Sequence, residues 1–137
     1  MFDLERFVLA QEDDYEDALE EIKSGKKKSH WMWYIFPQLK ALGFSYRSKF
    51  YGIEDAEEAR AYLDDPILGP RYLACIQALL LHKGTDPEQI MGSVDAKKLR
   101  SSLTLMQTVG GGATVEAALS SFFGGQKCVE TQNWLKD

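Results

Sequence analysis

The feature that most constrains the fold is the spacing of apolar residues, which recur at intervals of three and four along most of the chain. Such spacing places apolar side chains on one face of an α-helix. It runs through residues 4–22, 68–79, 99–106 and 115–122. Between the turn signals, no segment alternates cleanly between apolar and polar residues as a β-strand does. The pattern therefore predicts an all-α protein.

The chain has 137 residues, a length that suits one domain. The prediction is a single domain, residues 1–137, of about six to eight short helices that do not form a regular four-helix bundle. Asp13 and Glu16 resemble a capping pair, which predicts a second helix that begins there and ends at Gly25. Thr114 is predicted to cap a later helix that stops at Gly124 and Gly125.

The stretch "WMWYIF", residues 31–36, is the strongest competing signal. Its aromatic residues favour a β-strand. The helical surroundings and the following Pro37 favour a buried helical turn or two instead, and we adopt this second interpretation.

Composition narrows the classes of function. The net charge of −5 and the pI near 5.1 argue against general nucleic-acid binding. No apolar run reaches the length of a membrane span, and the first residues carry acids where a secretory signal carries bases. A cytoplasmic location is expected. Two cysteines and two histidines without short spacing indicate no metal site, and no cofactor motif is present.

Charge is distributed unevenly along the chain. Residues 1–21 hold nine acidic residues and one base, whereas residues 22–53 hold seven bases and no acid. The aromatic row lies inside this acid-free window. Cations clustered around aromatic rings are typical of a site that holds an anion with a flat ring attached. The alternative is that the row is core and that the bases complement the acidic first helices.

Individual residues suggest roles within such a site. His30 is a candidate acid, base or phosphate donor because its pKa lies near neutrality, although a histidine beside Ser29 also suits a structural role. Gln38 has both a donor and an acceptor for a base edge, and Arg71 can clamp a phosphate or pair with a nearby acid. The candidate ligand-binding residues are Lys28, Trp31, Trp33, Gln38, Arg71, Lys98 and Ser102.

Five segments resemble, in order, those of one known family. They are "KKSHWMWYIFPQLKALG", "FYGI", "EARAYLDDPILGPRY", "KLRSSLTL" and "FFGG". On these segments the chain is identified as a member of domain of unknown function family 1810, small bacterial proteins that are sometimes labelled calpastatin. The resemblance implies an all-α fold and brings no established activity. The calpastatin label suits a long, disordered inhibitor rather than a chain this rich in apolar residues.

The functional prediction is a protein that binds or processes a phosphorylated or nucleotide-like small molecule at the SHWMWYIFPQ region. The alternative is a non-catalytic interaction module for protein or single-stranded nucleic acid. The residues leave open whether the protein is an enzyme. The aromatic content is also compatible with a homodimer that covers an apolar patch.

Overall fold

The computed structural model describes residues 3–136, and all regular secondary structure in this range is helical apart from one isolated bridge. The nine α-helices of this range are α1 Glu5–Ser24, α2 Met32–Ile35, α3 Tyr46–Phe50, α4 Ala56–Asp64, α5 Leu68–Leu80, α6 Pro87–Met91, α7 Ser93–Thr108, α8 Ala113–Phe123 and α9 Val129–Lys136. A 3-10 turn covers Lys40–Leu42. The all-α prediction is confirmed, and the predicted turn within "WMWYIF" is α2.

Helix α1 is one helix of 20 residues and not two. The predicted capping pair is therefore wrong, since Asp13 and Glu16 lie in the middle of α1. The apolar spacing continues without a break past both residues, and this continuity outweighs the local capping signal. The predicted helix end at Gly25 is confirmed. Gly25 has φ +78°, and its N–H donates to carbonyls of the last turn of α1, as in a helix C-cap whose glycine adopts the left-handed conformation.

Helix α5 lies against α1, α4 and α8, and α8 also packs on α7. The apolar stripe predicted for α5 is buried, with Tyr72, Cys75, Ile76 and Leu79 almost fully inaccessible. Full burial of an aliphatic side chain such as Ile76 or Leu79 contributes about 1.5–3 kcal/mol to stability. The packing of α5 therefore accounts for much of the core.

Residues 40–52 leave the core and return to it. Their ends are held together where the Lys40 N–H donates to the Ile53 carbonyl and the Ile53 N–H donates to the Gln38 carbonyl, both at 2.8 Å. Gly52 permits this closure, because a Cβ there would lie 2.3 Å from the Lys40 Cα. The closed excursion carries α3 and projects several aromatic side chains outward.

The other predicted cap is also displaced. Helix α8 begins at Ala113 with Gly112 as its N-cap, so the predicted cap at Thr114 is wrong and this residue lies in the first turn. The predicted stop at Gly124 is confirmed by its left-handed conformation, with φ +60°. Within residues 3–136, no helix is long and apolar enough to cross a bilayer.

Candidate functional site

The aromatic row divides into buried and partly accessible side chains. Trp31, Met32, Ile35 and Phe36 are each only 1% exposed, whereas Trp33 is half-buried. Trp31 and Phe36 contact each other in the core, with ring centroids 6.1 Å apart. Most of the row therefore has the core role that the alternative interpretation assigned to it.

A carboxylate from α1 organises the entry to this row. Glu21 accepts hydrogen bonds from the Lys28 N–H at 2.7 Å, the Ser29 N–H at 2.9 Å, the Ser29 hydroxyl at 2.7 Å and the Trp31 indole at 3.0 Å. Partial burial raises the pKa of the Glu21 carboxyl, but these four hydrogen bonds outweigh it and lower the pKa to about 2. The ionised carboxylate thus fixes the backbone that leads into α2.

The lysines before the row have different surroundings. Lys27 forms an ion pair with Asp95 at 2.9 Å and lies over the Trp31 ring at 4.9 Å. The side chains of Lys28 and His30 are exposed, and the His30 carbonyl accepts a hydrogen bond from the Tyr34 hydroxyl at 3.3 Å. Lys27, which was not a candidate, thus joins the row to α7.

Arg71 and Ser102 contact other parts of the protein. The Arg71 guanidinium lies 4.8 Å from the Tyr15 ring centroid and donates to the Gln11 side chain at 3.5 Å. Ser102 is fully buried, and its hydroxyl is 2.9 Å from the Tyr72 hydroxyl. Neither residue lines the spaces that Gln38 and Lys98 line, so these candidates do not share one cleft.

Three of the candidates do come together. Trp33, Gln38 and Lys98 line one small cavity of about 10 Å³, roughly the space of a single water molecule. Two cations lie over the Trp33 ring, Arg47 at 5.2 Å and Lys98 at 5.3 Å. The buried Trp33 Nε1 has no hydrogen-bond partner within the described residues. The Trp33 indole therefore joins the aromatic row to cations from α3 and α7.

Gln38 and Lys98 also border a larger groove, which we call the cationic groove. Its volume is about 640 Å³, within the range of small-molecule sites. It lies between the 38–44 segment, the first half of α7 and the start of α9. The lining residues that carry polar or aromatic groups are Gln38, Phe44, Lys97, Lys98, Arg100, Ser101, Cys128 and Glu130.

The electrostatics of the cationic groove differ from those of the whole chain. Three cations line it against one carboxylate, although the net charge of the protein is −5. The pKa of the Glu130 carboxyl is lowered, first by the backbone N–H of its own residue and the Cys128 thiol, and to a smaller extent by Arg100 and Lys97. The groove is thus a locally positive surface.

Sequence reasoning missed Phe44 and four further lining residues, Lys97, Arg100, Cys128 and Glu130. The last four come from two segments that lie far from the aromatic row in the chain. The segment "KKLRSS" could have indicated Lys97 and Arg100, because its bases and serines lie within about one helical turn of each other, as Lys97 and Ser101 do. No local sequence pattern indicated that Cys128 and Glu130, at the start of α9, would line the groove.

The 40–52 excursion exposes further aromatic side chains. Phe44 is 94% exposed, Tyr46 is 80% exposed and Phe50 is about half exposed. The Tyr46 and Phe50 rings are stacked, with centroids 6.2 Å apart. The sequence predicts the aromatic part of a site in the 31–36 row, whereas these exposed rings lie in the 40–52 excursion.

Comparisons with known proteins show the family and assign no activity. The family model described as "Protein of unknown function (DUF1810)" matches residues 1–135. The crystal structure of the conserved hypothetical protein Rv1873 from Mycobacterium tuberculosis is similar, with 40% sequence identity and a TM-score of 0.97. The alignment covers 99% of this chain and 98% of that one. No curated protein matches the chain.

Proposed function

Because this chain belongs to the DUF1810 family of proteins of unknown function, its relatives supply no activity, and we propose from geometry that it binds a phosphorylated or nucleotide-like small molecule in the cationic groove. The observation that carries the proposal is the charge of the groove. Three cations face one carboxylate there, on a protein whose net charge is −5. An anionic ligand is repelled by most of the surface and attracted to this groove.

Two of the cations are available to a ligand. Within residues 3–136, Lys97 and Arg100 form no ion pair with a carboxylate. Lys98 is close to Asp95 at 3.9 Å, a separation at which the attraction is partial. Arg100 supplies the planar fork of N–H groups that matches phosphate oxygens, and Lys97 supplies a mobile point charge.

The remaining lining suits a flat ring with polar edges. Phe44 presents an accessible aromatic face on which a base can stack. The Gln38 side chain has one acceptor and two donor hydrogens, which can pair with the edge of a base. These groups lie beside the cations, as a nucleoside phosphate requires.

The geometry supports binding more strongly than catalysis. His30, the candidate catalytic residue, does not line the cationic groove, and its exposed side chain lies at the start of the aromatic row. Lys28, Arg71 and Ser102 also lie outside the groove. The proposed site therefore keeps Gln38 and Lys98 from the sequence prediction and adds Lys97, Arg100 and Phe44.

Cys128 offers a direct test, because it lines the cationic groove. The other cysteine, Cys75, is buried, and burial raises its pKa to about 12, so it reacts slowly. Neutral iodoacetamide should alkylate Cys128, and mass spectrometry can follow the rate. We expect adenosine or guanosine diphosphate to slow this alkylation several-fold, and ribose 5-phosphate to slow it less because it has no base to stack.

Matched variants assign the effect to the groove. Lys97→Gln should abolish most of the protection, because it removes a groove cation without disturbing the core. Lys26→Gln removes the same charge from an exposed position outside the groove and should leave protection intact. Alkylation rates that no nucleotide or sugar phosphate alters would refute the proposed function.

A second candidate function is favoured by the exposed aromatic side chains of the excursion. Phe44, Tyr46 and Phe50 lie among the bases Arg47 and Lys49, an arrangement that suits an interaction module for single-stranded nucleic acid. Titration with a short oligonucleotide at two salt concentrations separates the two functions. Tight binding that weakens steeply with salt would support the module, and weak binding at low salt would exclude it.

A further inference from the structure

A second groove shares two cations with the cationic groove. This adjoining groove, of about 520 Å³, lies between the α5–α6 connection, α7 and the end of α8. Among its lining residues are Asp86, Glu88, Lys97, Arg100, Ser121 and Phe123. Lys97 and Arg100 line both grooves, so the two spaces meet at these residues.

The geometry of α7 explains the arrangement. Successive residues of an α-helix are rotated by about 100°, which places Lys98 and Ser101 toward one side of α7 and Ala96 toward another. Lys97 and Arg100 fall between these sides. One helix thus presents its cations along a ridge, with a groove on either flank.

The chemistry of the two grooves is similar away from this ridge. The cationic groove has the Phe44 ring and the Glu130 carboxylate. The adjoining groove has the Phe123 ring, whose centroid is 5.6 Å from the Arg100 guanidinium carbon, and the carboxylates of Asp86 and Glu88. Each groove therefore combines an aromatic face with acceptors for hydroxyl or amino groups, while positive charge is concentrated between them.

The carboxylates of the adjoining groove determine what can occupy it. Asp86 is the N-cap of α6 and accepts the Glu88 N–H at 2.8 Å, so its position is fixed. A second phosphate group in this groove would be repelled, whereas ribose hydroxyls and base amino groups are hydrogen-bond donors. The flank of the ridge opposite Phe44 therefore suits a neutral nucleoside.

We propose that the ligand is a dinucleotide in which two nucleosides are joined through a diphosphate. This inference rests on the proposed function and specifies its ligand class. The diphosphate lies on the ridge against Lys97 and Arg100, one nucleoside occupies the cationic groove beside Phe44, and the other occupies the adjoining groove beside Phe123. Both grooves are then filled by one molecule.

Calorimetric titration of the parent protein with two matched probes tests the inference. Adenosine diphosphate and diadenosine diphosphate carry the same two phosphate groups, but the dinucleotide has a second nucleoside and less negative charge. A site that recognises charge alone favours adenosine diphosphate. We expect diadenosine diphosphate to bind about tenfold more tightly or better, because a second base stacks. The corresponding guanosine pair is measured alongside to allow for base preference.

Two variants locate the second nucleoside. Ser121→Trp fills the adjoining groove from an exposed position on α8, and Phe123→Ala removes its aromatic face. Either should lower dinucleotide affinity to that of the mononucleotide, and Ser121→Trp should leave mononucleotide protection of Cys128 unchanged. Leu81→Ala, at an exposed position outside both grooves, is the control and should change neither affinity. If Phe123→Ala fails to fold, Ser121→Trp decides the question alone.

The outcomes separate this inference from the proposed function. Equal affinity for mononucleotide and dinucleotide, or a dinucleotide preference that Ser121→Trp does not reduce, would overturn the two-groove ligand and leave the cationic groove as a mononucleotide site. Absence of binding by both adenosine and both guanosine compounds, together with unaltered Cys128 alkylation, would overturn both proposals.

Discussion

Residues 31–36 and residues 44–50 form an instructive pair, because both are rich in aromatic side chains and both lie in the acid-free window. In the first segment Trp31 is 1% exposed, whereas in the second Phe44 is 94% exposed. The first segment lies against the polar side chains of α1, which accept or donate its hydrogen bonds. The second projects from a closed excursion. Aromatic content therefore does not decide burial, and the neighbouring elements do.

The largest effect should come from truncating a ring in the first segment. Trp31→Ala should lower the free energy of unfolding by about 3–5 kcal/mol, because it loses buried apolar area and leaves a cavity. Urea denaturation followed by circular dichroism measures the loss. A change below about 1 kcal/mol would mean that the first segment is no more a part of the core than the second.

A smaller effect should follow when a polar contact beneath the first segment is removed. The buried Gln11 side chain donates to the Tyr34 carbonyl at 2.7 Å and to the Tyr62 hydroxyl at 3.0 Å. Gln11→Leu preserves the approximate volume and should cost about 1–2 kcal/mol, since the Tyr62 hydroxyl still donates to the Tyr34 carbonyl. Equal stability of variant and parent would show that the hydrogen bonds of Gln11 add nothing to the stability of the first segment.

The Glu21 carboxylate should make the first segment sensitive to acid. Its pKa is depressed in the folded protein, from 4.5 to about 2, so its stabilising effect is complete above pH 4.5 and is lost as the pH falls toward 2. Glu21→Gln retains the shape but not the charge, and should cost about 1 kcal/mol at neutral pH. The free energies of unfolding of variant and parent, measured from pH 7 to pH 2, should converge. A constant difference would contradict the assignment.

The smallest effect should come from the second segment. Phe44→Ala should change the free energy of unfolding by less than about 0.5 kcal/mol, because the ring is exposed to water in both the folded and the unfolded state. The same variant should weaken nucleotide protection of Cys128, because it removes the stacking face of the cationic groove. A marked loss of stability would show that Phe44 is structural and would remove it from the proposed site.

The helices could be predicted from local patterns, whereas the surroundings of a candidate site residue depend on distant segments, and particular residues show why. The spacing of Phe7, Ala18 and Ile22 requires only that one helix face be apolar, which is a local property. Asp13 and Glu16 led to a wrong helix start, because a capping pattern is also a local signal and it does not interrupt a helix whose apolar spacing continues past it. Trp33, Gln38 and Lys98 line one small cavity, whereas Lys97 and Arg100 acquire their surroundings from α8 and α9.

The sequence by itself determined the helical class, the stops at Gly25 and Gly124, and the separation of acidic from basic segments. These properties depend on side-chain spacing, on backbone conformations that glycine favours and on charge. Only the tertiary structure decided that Trp31 is core and Phe44 is surface, and that Lys97 and Arg100 lie between two grooves. Burial and proximity depend on which distant segments pack together. The free energy of that packing is the total of many weak contacts over the whole chain, so no single segment determines it.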